Sequence, residues 1–297
     1  MRSTLMALGL SPVMLCAQMV QVEAGPGDPT VLHFSPVFIA RNHITSVSGL
    51  AHVKRDNEPM RQRNERVFYR FGNSGALSYG NNSHGRPGTG LDTASVAYTY
   101  DGRGYLVEQL RNDLNGHYVL RNELDQQGRP VRETYLRVEN LGSDRYNLVA
   151  GEATIVSDER FTYTVVNDTA WRKTYVNDRG LPYREQTWSS DKLGYLRAIR
   201  DHYLITQRRG LITFDYDERG RLKERVERSD LSNDRSIKHT WTYDKAGDPL
   251  TCDTWHDGKA VRHTEFLYEE GTLFLKATLT KELDTGLIHV MKYTTQR

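Results

Sequence analysis

The sequence predicts an all-β protein, an antiparallel β-meander of repeated hairpins forming a long twisted or curled sheet. Three observations predict it. Turn residues recur at similar spacing, aromatic residues alternate with polar ones beside those turns, and the mature chain shows no convincing amphipathic helix. Composition agrees: 17 tyrosines against 6 methionines, with 37% hydrophobic and 26% charged residues, describe a polar, β-leaning globular chain.

The clearest unit is Phe214–Leu222. Phe214 and Tyr216 share one face of a strand because successive side chains alternate. Asp217 opens a turn, since its carboxylate accepts from backbone amides two residues on. Gly220 occupies the left-handed position that follows a type I turn, and Leu222 starts the return strand. Related units pair Asp101 with Gly104, Asp125 with Gly128, and Asp244 with Gly247. Looser ones run from Asn177 to Gly180, from Asp191 to Gly194, and from Tyr268 to Gly271. One such spacing carries no information; recurrence with flanking aromatics and a following Leu or Pro marks an internal repeat.

At Tyr98–Leu106, Phe214–Leu222 and Trp241–Leu250 the chain resembles the YD-repeat (Rhs-type) family. The resemblance covers roughly residues 95–295 and implies an antiparallel β architecture, secreted or at the cell surface. The chain lacks the long array and toxin tail of the large members, so it is similar to a short stand-alone secreted bacterial relative.

In chain order, Arg2 and the apolar run Leu5–Val20 read as a signal peptide over residues 1–24, cleaved after Ala17 or after Ala24. Cys16 raises lipidation, but Met14-Leu15 before it lacks the small residue that such processing prefers. Residues 25–36 read as a flexible N-terminal segment, and 37–297 as a single β-hairpin repeat domain. Val37–Ser48 is expected to hold a first strand, Asp56–Arg66 a polar connector, and Val67, Tyr69 and Phe71 a second strand. The stretch 80–93, rich in Gly, Asn and Ser, reads as a polar loop. A run of strands then follows from 95–100 to 286–294, interrupted by an irregular stretch at 139–158. Asp257-Gly258 is a two-residue hairpin turn.

Motifs that carry known chemistry are mostly absent from the sequence. The chain has no His-Glu-x-x-His, phosphate-cradling glycine loop or Gly-x-Ser-x-Gly elbow. No cofactor or metal is implied. His256 and His263 flank the Asp257-Gly258 turn and are placed to face each other, although exposed turn histidines are commoner than ligands. Cys252, alone once the leader is removed, reads as a packing residue. Asp101, Asp125, Asp217 and Asp244 read as turn caps. Trp188 and Trp255, near strand ends, are the candidate ligand residues, since an aromatic ring fits the apolar face of a sugar.

A net charge of +2 argues against nucleic acid as a partner, and no second apolar run reaches the length of a membrane span. The sequence therefore reads as a secreted or periplasmic, non-enzymatic envelope protein with a structural or interaction role, its partner an envelope protein or a glycan. The alternative is a carbohydrate-binding or glycan-active protein that uses exposed Trp and carboxylates.

Overall fold

A computed structural model describes residues 18–86, 90–113, 115–143 and 148–297. The signal-peptide and Cys16 expectations fall largely on residues outside these.

The sheet is not open. Eighteen antiparallel strands, each paired with its sequence neighbours, form a closed barrel. Two short strands, β1 (Val20–Gln21) and β2 (His33–Phe34), pair with each other, and α1 (Pro36–Arg41) follows them. The wall begins with β3 (Ser46–Arg55), β4 (Arg61–Phe71), β5 (Leu77–Arg86), β6 (Gly90–Tyr100), β7 (Leu106–Asp113) and β8 (Gly116–Leu124). It continues with β9 (Pro130–Asn140), β10 (Ala150–Asn167), β11 (Ala170–Val176), β12 (Pro182–Ser190), β13 (Leu196–Tyr203) and β14 (Arg209–Tyr216). It ends with β15 (Leu222–Arg228), β16 (Ile237–Tyr243), β17 (Pro249–His256), β18 (Lys259–Tyr268), β19 (Leu275–Glu282) and β20 (Leu287–Gln296).

Closure is the pairing of β20 with β3, from Leu287 opposite Arg55 to Gln296 opposite Ser46. An even strand number makes it possible, because only then do the first and last strands of a meander run antiparallel. Closure also removes both sheet edges, the usual aggregation liability of a long meander. A barrel of this strand number is wide enough to need filling or to leave a channel.

The Asp-x-x-Gly turns share one geometry. Asp217 Oδ1 accepts from the amides of Arg219 and Arg221 at 2.9 Å, and Gly220, at φ +76°, donates to the Asp217 carbonyl. Asp101 and Asp125 hold their turns the same way, with Gly104 and Gly128 at positive φ. Asp244 accepts from Gly247 and Asp248. Asn177 and Asp191 repeat the pattern. At the opposite end Asp257 and Gly258 both have positive φ, as a type I′ hairpin turn requires.

A second device joins neighbouring units. The Tyr216 hydroxyl donates to the carbonyl of Leu196, and that of Tyr243 to Leu222. Tyr100 reaches Leu77, and Tyr268 reaches Pro249. In each case the acceptor lies two residues past the glycine of an earlier turn, so the repeated tyrosine ties successive hairpins together. Arg221 extends forward in the same way, to the Asp244 carbonyl at 3.0 Å.

The expected first strand at Val37–Ser48 is instead a helix followed by β3. Ser35 caps that helix by accepting from the Phe38 amide, and Pro36 supplies a preset φ at its first position. The connector at Asp56–Arg66 is mostly strand, because β4 extends back to Arg61. The polar loop at 80–93 also gives way to strand: residues 80–86 lie in β5 and 90–93 in β6, and 87–89 lie outside the described residues. Polar composition misleads here because a strand with neighbours on both sides satisfies its backbone whatever its side chains. The irregular stretch 139–158 is strand at both ends, in β9 and β10. The segment 25–36 is tied to the barrel near its end: the Phe34 ring packs edge-on against Tyr69 and Phe71 of β4, and the buried Ser35 amide donates to the Met19 carbonyl.

Candidate functional site

Register assigns every wall residue to one of two faces. Tyr69, Gly80, Val96, Arg111, Tyr118 and Arg137 stand opposite one another in turn and point into the lumen. The lumenal face continues through Phe161, Tyr175, Arg184 and Tyr203, and then through Phe214, Arg225, His239, Thr254 and Arg262.

The outer face carries ion pairs between strands. Arg121 meets Glu108 at 2.9 Å, and Arg132 meets both Glu123 and Asp158. Arg172 pairs with Glu185, Lys238 with Glu224, and His263 with Asp253 at 2.6 Å. One apolar row, Ala97, Leu110, Val119, Leu136 and Ile155, crosses β6–β10, and on β9–β10 the pair Val138 and Ala153 makes it two residues deep.

Part of the lumen is filled by the chain itself. Met19, Val20, Phe38, Ile39 and Ile44 pack on Val47, Phe71, Phe274 and Leu275 as one buried cluster. A second cluster joins Ile199, Ile212, Phe214, Leu222, Trp241 and Cys252, with Val22 and Ala24 packed against it. Gly75 shows how closely α1 docks: a Cβ there would sit 1.9 Å from the Pro36 carbonyl oxygen.

Two buried groups beneath this internal segment each leave one nitrogen unbonded. Arg225 is 2% exposed; its guanidinium binds Glu227 at 2.8 Å and the Gly27 carbonyl, while its Nε is unbonded. His239, opposite it, is buried with an unbonded Nδ1. Burial, helped by the Arg225 charge, lowers the His239 pKa to about 4. Asp248, fully buried at the Asp244 turn, is pushed up to about 6 by burial and by Asp244.

Beside these groups, between the segment and β16–β20, lies a cavity of about 370 Å³. Its walls combine aromatic rings, five threonine side chains and Arg262.

The wall over β9–β13 carries a polar and aromatic belt. Glu133 stands opposite Glu159, whose carboxylate accepts from the Tyr183 hydroxyl at 2.7 Å. Arg184 binds Asp201 at 2.7 Å, and Gln186 accepts from Tyr175. Lys173 lies 3.6 Å from the centre of the Phe161 ring. Desolvation raises the Glu133 carboxyl and lowers the Lys173 amine, as expected for charges facing a partly enclosed lumen.

The residues singled out in the sequence are dispersed. Trp188 is lumenal, stacked on Trp171 at 5.0 Å, and donates to Gln186. Trp255 is on the outer face under the Lys238 amine, its Nε1 buried and unbonded. The two tryptophans therefore form no common platform. Asp101, Asp125, Asp217 and Asp244 are all engaged in their turns. The backbone amide of Tyr105 and the Arg103 guanidinium hold the Asp101 carboxyl below the usual range. At Asp217 burial opposes the shift, but Arg221 and the turn amides outweigh it. Cys252 is buried on the lumenal face, and burial pushes its thiol up to about 12, far from a reactive thiolate. His256 and His263 do not face each other: His256 stands opposite Lys259 and His263 opposite Asp253. Among the described residues no group of three His, Cys, Asp or Glu is placed to hold a metal. The belt residues Glu133, Glu159, Lys173 and Arg184 carry no signal in the sequence, because only closure gathers β9–β13 around a lumen.

No protein-family model and no curated protein matches the chain. Among solved structures, a porin-like protein from Bacteroides uniformis aligns with 85% of this chain and 98% of its own, at 11% identity and TM-score 0.42. A porin-like protein from Bacteroides vulgatus aligns with 84% of this chain and 97% of its own, at 10% identity and TM-score 0.35. A TcdB2-TccC3-Cdc42 structure aligns with 74% of this chain and 14% of its own, at 14% identity and TM-score 0.31.

Proposed function

We propose that the chain is a water-exposed β-barrel shell of the bacterial envelope, secreted or periplasmic, with an interaction role rather than catalysis. The observation that carries this is the polarity of the two walls. A barrel in lipid presents an apolar band about 25 Å tall outward and a polar lumen inward. Here the outward face carries ladders of ion pairs, and the apolar row over β6–β10, two residues deep at most, is far too narrow for such a band. The lumenal face holds the two apolar clusters and packs them on the chain's own N-terminal segment. No helix among the described residues is long and apolar enough to cross a membrane, which by itself says nothing of a barrel. The Tyr-Asp-x-x-Gly units, tied hairpin to hairpin, support a YD-repeat-like shell.

Cleavage after Ala17 fits this reading, because Met19 and Val20 are core residues that cleavage after Ala24 would remove. Expression of the whole sequence in a bacterium, followed by fractionation and intact-mass measurement, tests it. The expected product starts at Gln18 and is monodisperse in buffer without detergent. Recovery only in detergent, with conductance in planar bilayers, would overturn the proposal.

The carbohydrate reading is favoured by one feature, the Trp171–Trp188 stack beside the Glu133, Glu159 and Asp201 belt. A glycan array tests it. Specific binding lost in Trp188→Ala would replace the purely structural role with glycan recognition; an array with no specific signal removes the alternative.

A further inference from the structure

We infer that the cavity between the N-terminal segment and β16–β20 is a binding site for an amphipathic monocarboxylate, an apolar body carrying one anionic head. This deepens the interaction role and rests on the barrel being water-exposed.

The cavity, about 370 Å³, falls in the range of small-molecule sites. Its body is apolar and aromatic: Val22 and Leu32 of the segment face Tyr69, Trp241, Phe266 and Tyr293 of the wall. Such a lining rewards burial of hydrocarbon, at roughly 25 cal/mol per Å² of apolar surface. Threonine hydroxyls are the chief polar groups among these walls, and two of them, on Thr264 and Thr280, bond each other at 3.1 Å. They therefore place little demand on a ligand.

Arg262 supplies the one unmet charge. It lines the cavity and is exposed, and among the described residues it makes no ion pair or hydrogen bond. Its register partner across the ladder is Glu282, yet Glu282 lies 3.6 Å from His289 instead. Other lumenal arginines are matched: Arg111 with Asp113, Arg184 with Asp201 and Arg225 with Glu227. Behind the cavity, the unbonded Nε of Arg225 adds to the shortage of acceptors on this side of the lumen. A guanidinium that stays in water while its neighbours are apolar places the anionic head at the mouth and the body inside. The volume accommodates a body of roughly ten carbons at the filling usual for ligand pockets.

Calorimetric titration of the full mature chain with decanoate and with decanol tests the inference. It is done in detergent-free buffer on protein first shown to be monodisperse, so that failure of the shell reading appears before any ligand is added. Decanoate is expected to bind at least tenfold more tightly than decanol. Arg262→Gln, a change at an exposed side chain, should weaken decanoate at least tenfold and leave decanol unchanged. Thr280→Trp, which fills the cavity, should abolish both while the circular dichroism spectrum stays that of the parent. Absence of binding heat up to millimolar decanoate, or equal decanoate affinity in the parent and Arg262→Gln, would overturn the inference.

Discussion

The two halves of the lumen are built from the same hairpin unit and differ in what lies against them. Along β13–β20 and β3–β5 the inner wall meets the N-terminal segment, and Ile199, Phe214, Val47 and Leu275 are all but inaccessible. Along β7–β12 the inner wall carries Gln109, Leu120, Tyr135, Glu133 and Tyr175, each only half-buried. The repeat thus specifies the wall and its turns but not the core. The core comes from a segment outside the repeat, so stability should be concentrated where that segment packs.

The largest test of this contrast is truncation of one apolar side chain in each half. Ile39, on α1, is fully buried, and Ile39→Ala should cost about 3 kcal/mol through lost transfer energy and the cavity it leaves. Leu120→Ala, on the lumenal face of β8, removes a half-buried side chain and should cost about 1 kcal/mol or less. Urea unfolding of both variants measures the difference. Equal costs would mean that the barrel wall is self-supporting and that the segment is a passenger.

This division also explains what could be read in the sequence. The turn units at Asp101, Asp125, Asp217 and Asp244 are legible because every requirement is local: a carboxylate two residues from the amide it accepts, and a glycine where φ must be positive. Closure is not local. Ser46 and Gln296 pair across 250 residues, and nothing in either strand distinguishes it from an ordinary outer strand. The segment is hidden for another reason: Met19, Val20 and Val22 continue the apolar run of a leader, and Gly25–Pro29 has a linker's composition. Arg262 gives no signal by itself. Its lack of a partner follows from how Glu282 and His289 meet on another hairpin.

A test of intermediate size uses the two displaced titrations under the segment, which act in opposite directions. His239 titrates near 4 in the folded chain and near its ordinary 6.5 when unfolded, so its contribution to stability is lost as pH falls from 6.5 towards 4. Asp248 titrates near 6 when folded and near 3.8 when unfolded, so its contribution is lost as pH rises through that window. In the parent the two oppose each other, and stability should change little between pH 4 and 6. His239→Gln should leave the Asp248 dependence exposed, with stability falling as pH rises. Asp248→Asn should show the reverse slope, each on the order of 2 kcal/mol across the window. Urea midpoints at several pH values decide it. Parallel profiles for the parent and both variants would show that the segment does not enclose these groups in solution.

The smallest expected effect separates the repeat from its filling. Tyr216 and Tyr100 make the same hydroxyl bond to a carbonyl of an earlier hairpin, at 2.8 Å in both cases. Tyr216 stands beside the filled half of the lumen, and Tyr100 on β6 stands away from the second apolar cluster. If the staple belongs to the repeat unit alone, Tyr216→Phe and Tyr100→Phe should each cost about 1 kcal/mol, the usual net worth of one buried hydrogen bond. Each phenylalanine keeps the ring and leaves one carbonyl without its partner, so packing contributes little to the difference. A much larger cost at Tyr216 would mean that the bond draws its strength from the core beside it. The unit would then be stable only where the N-terminal segment has filled the barrel.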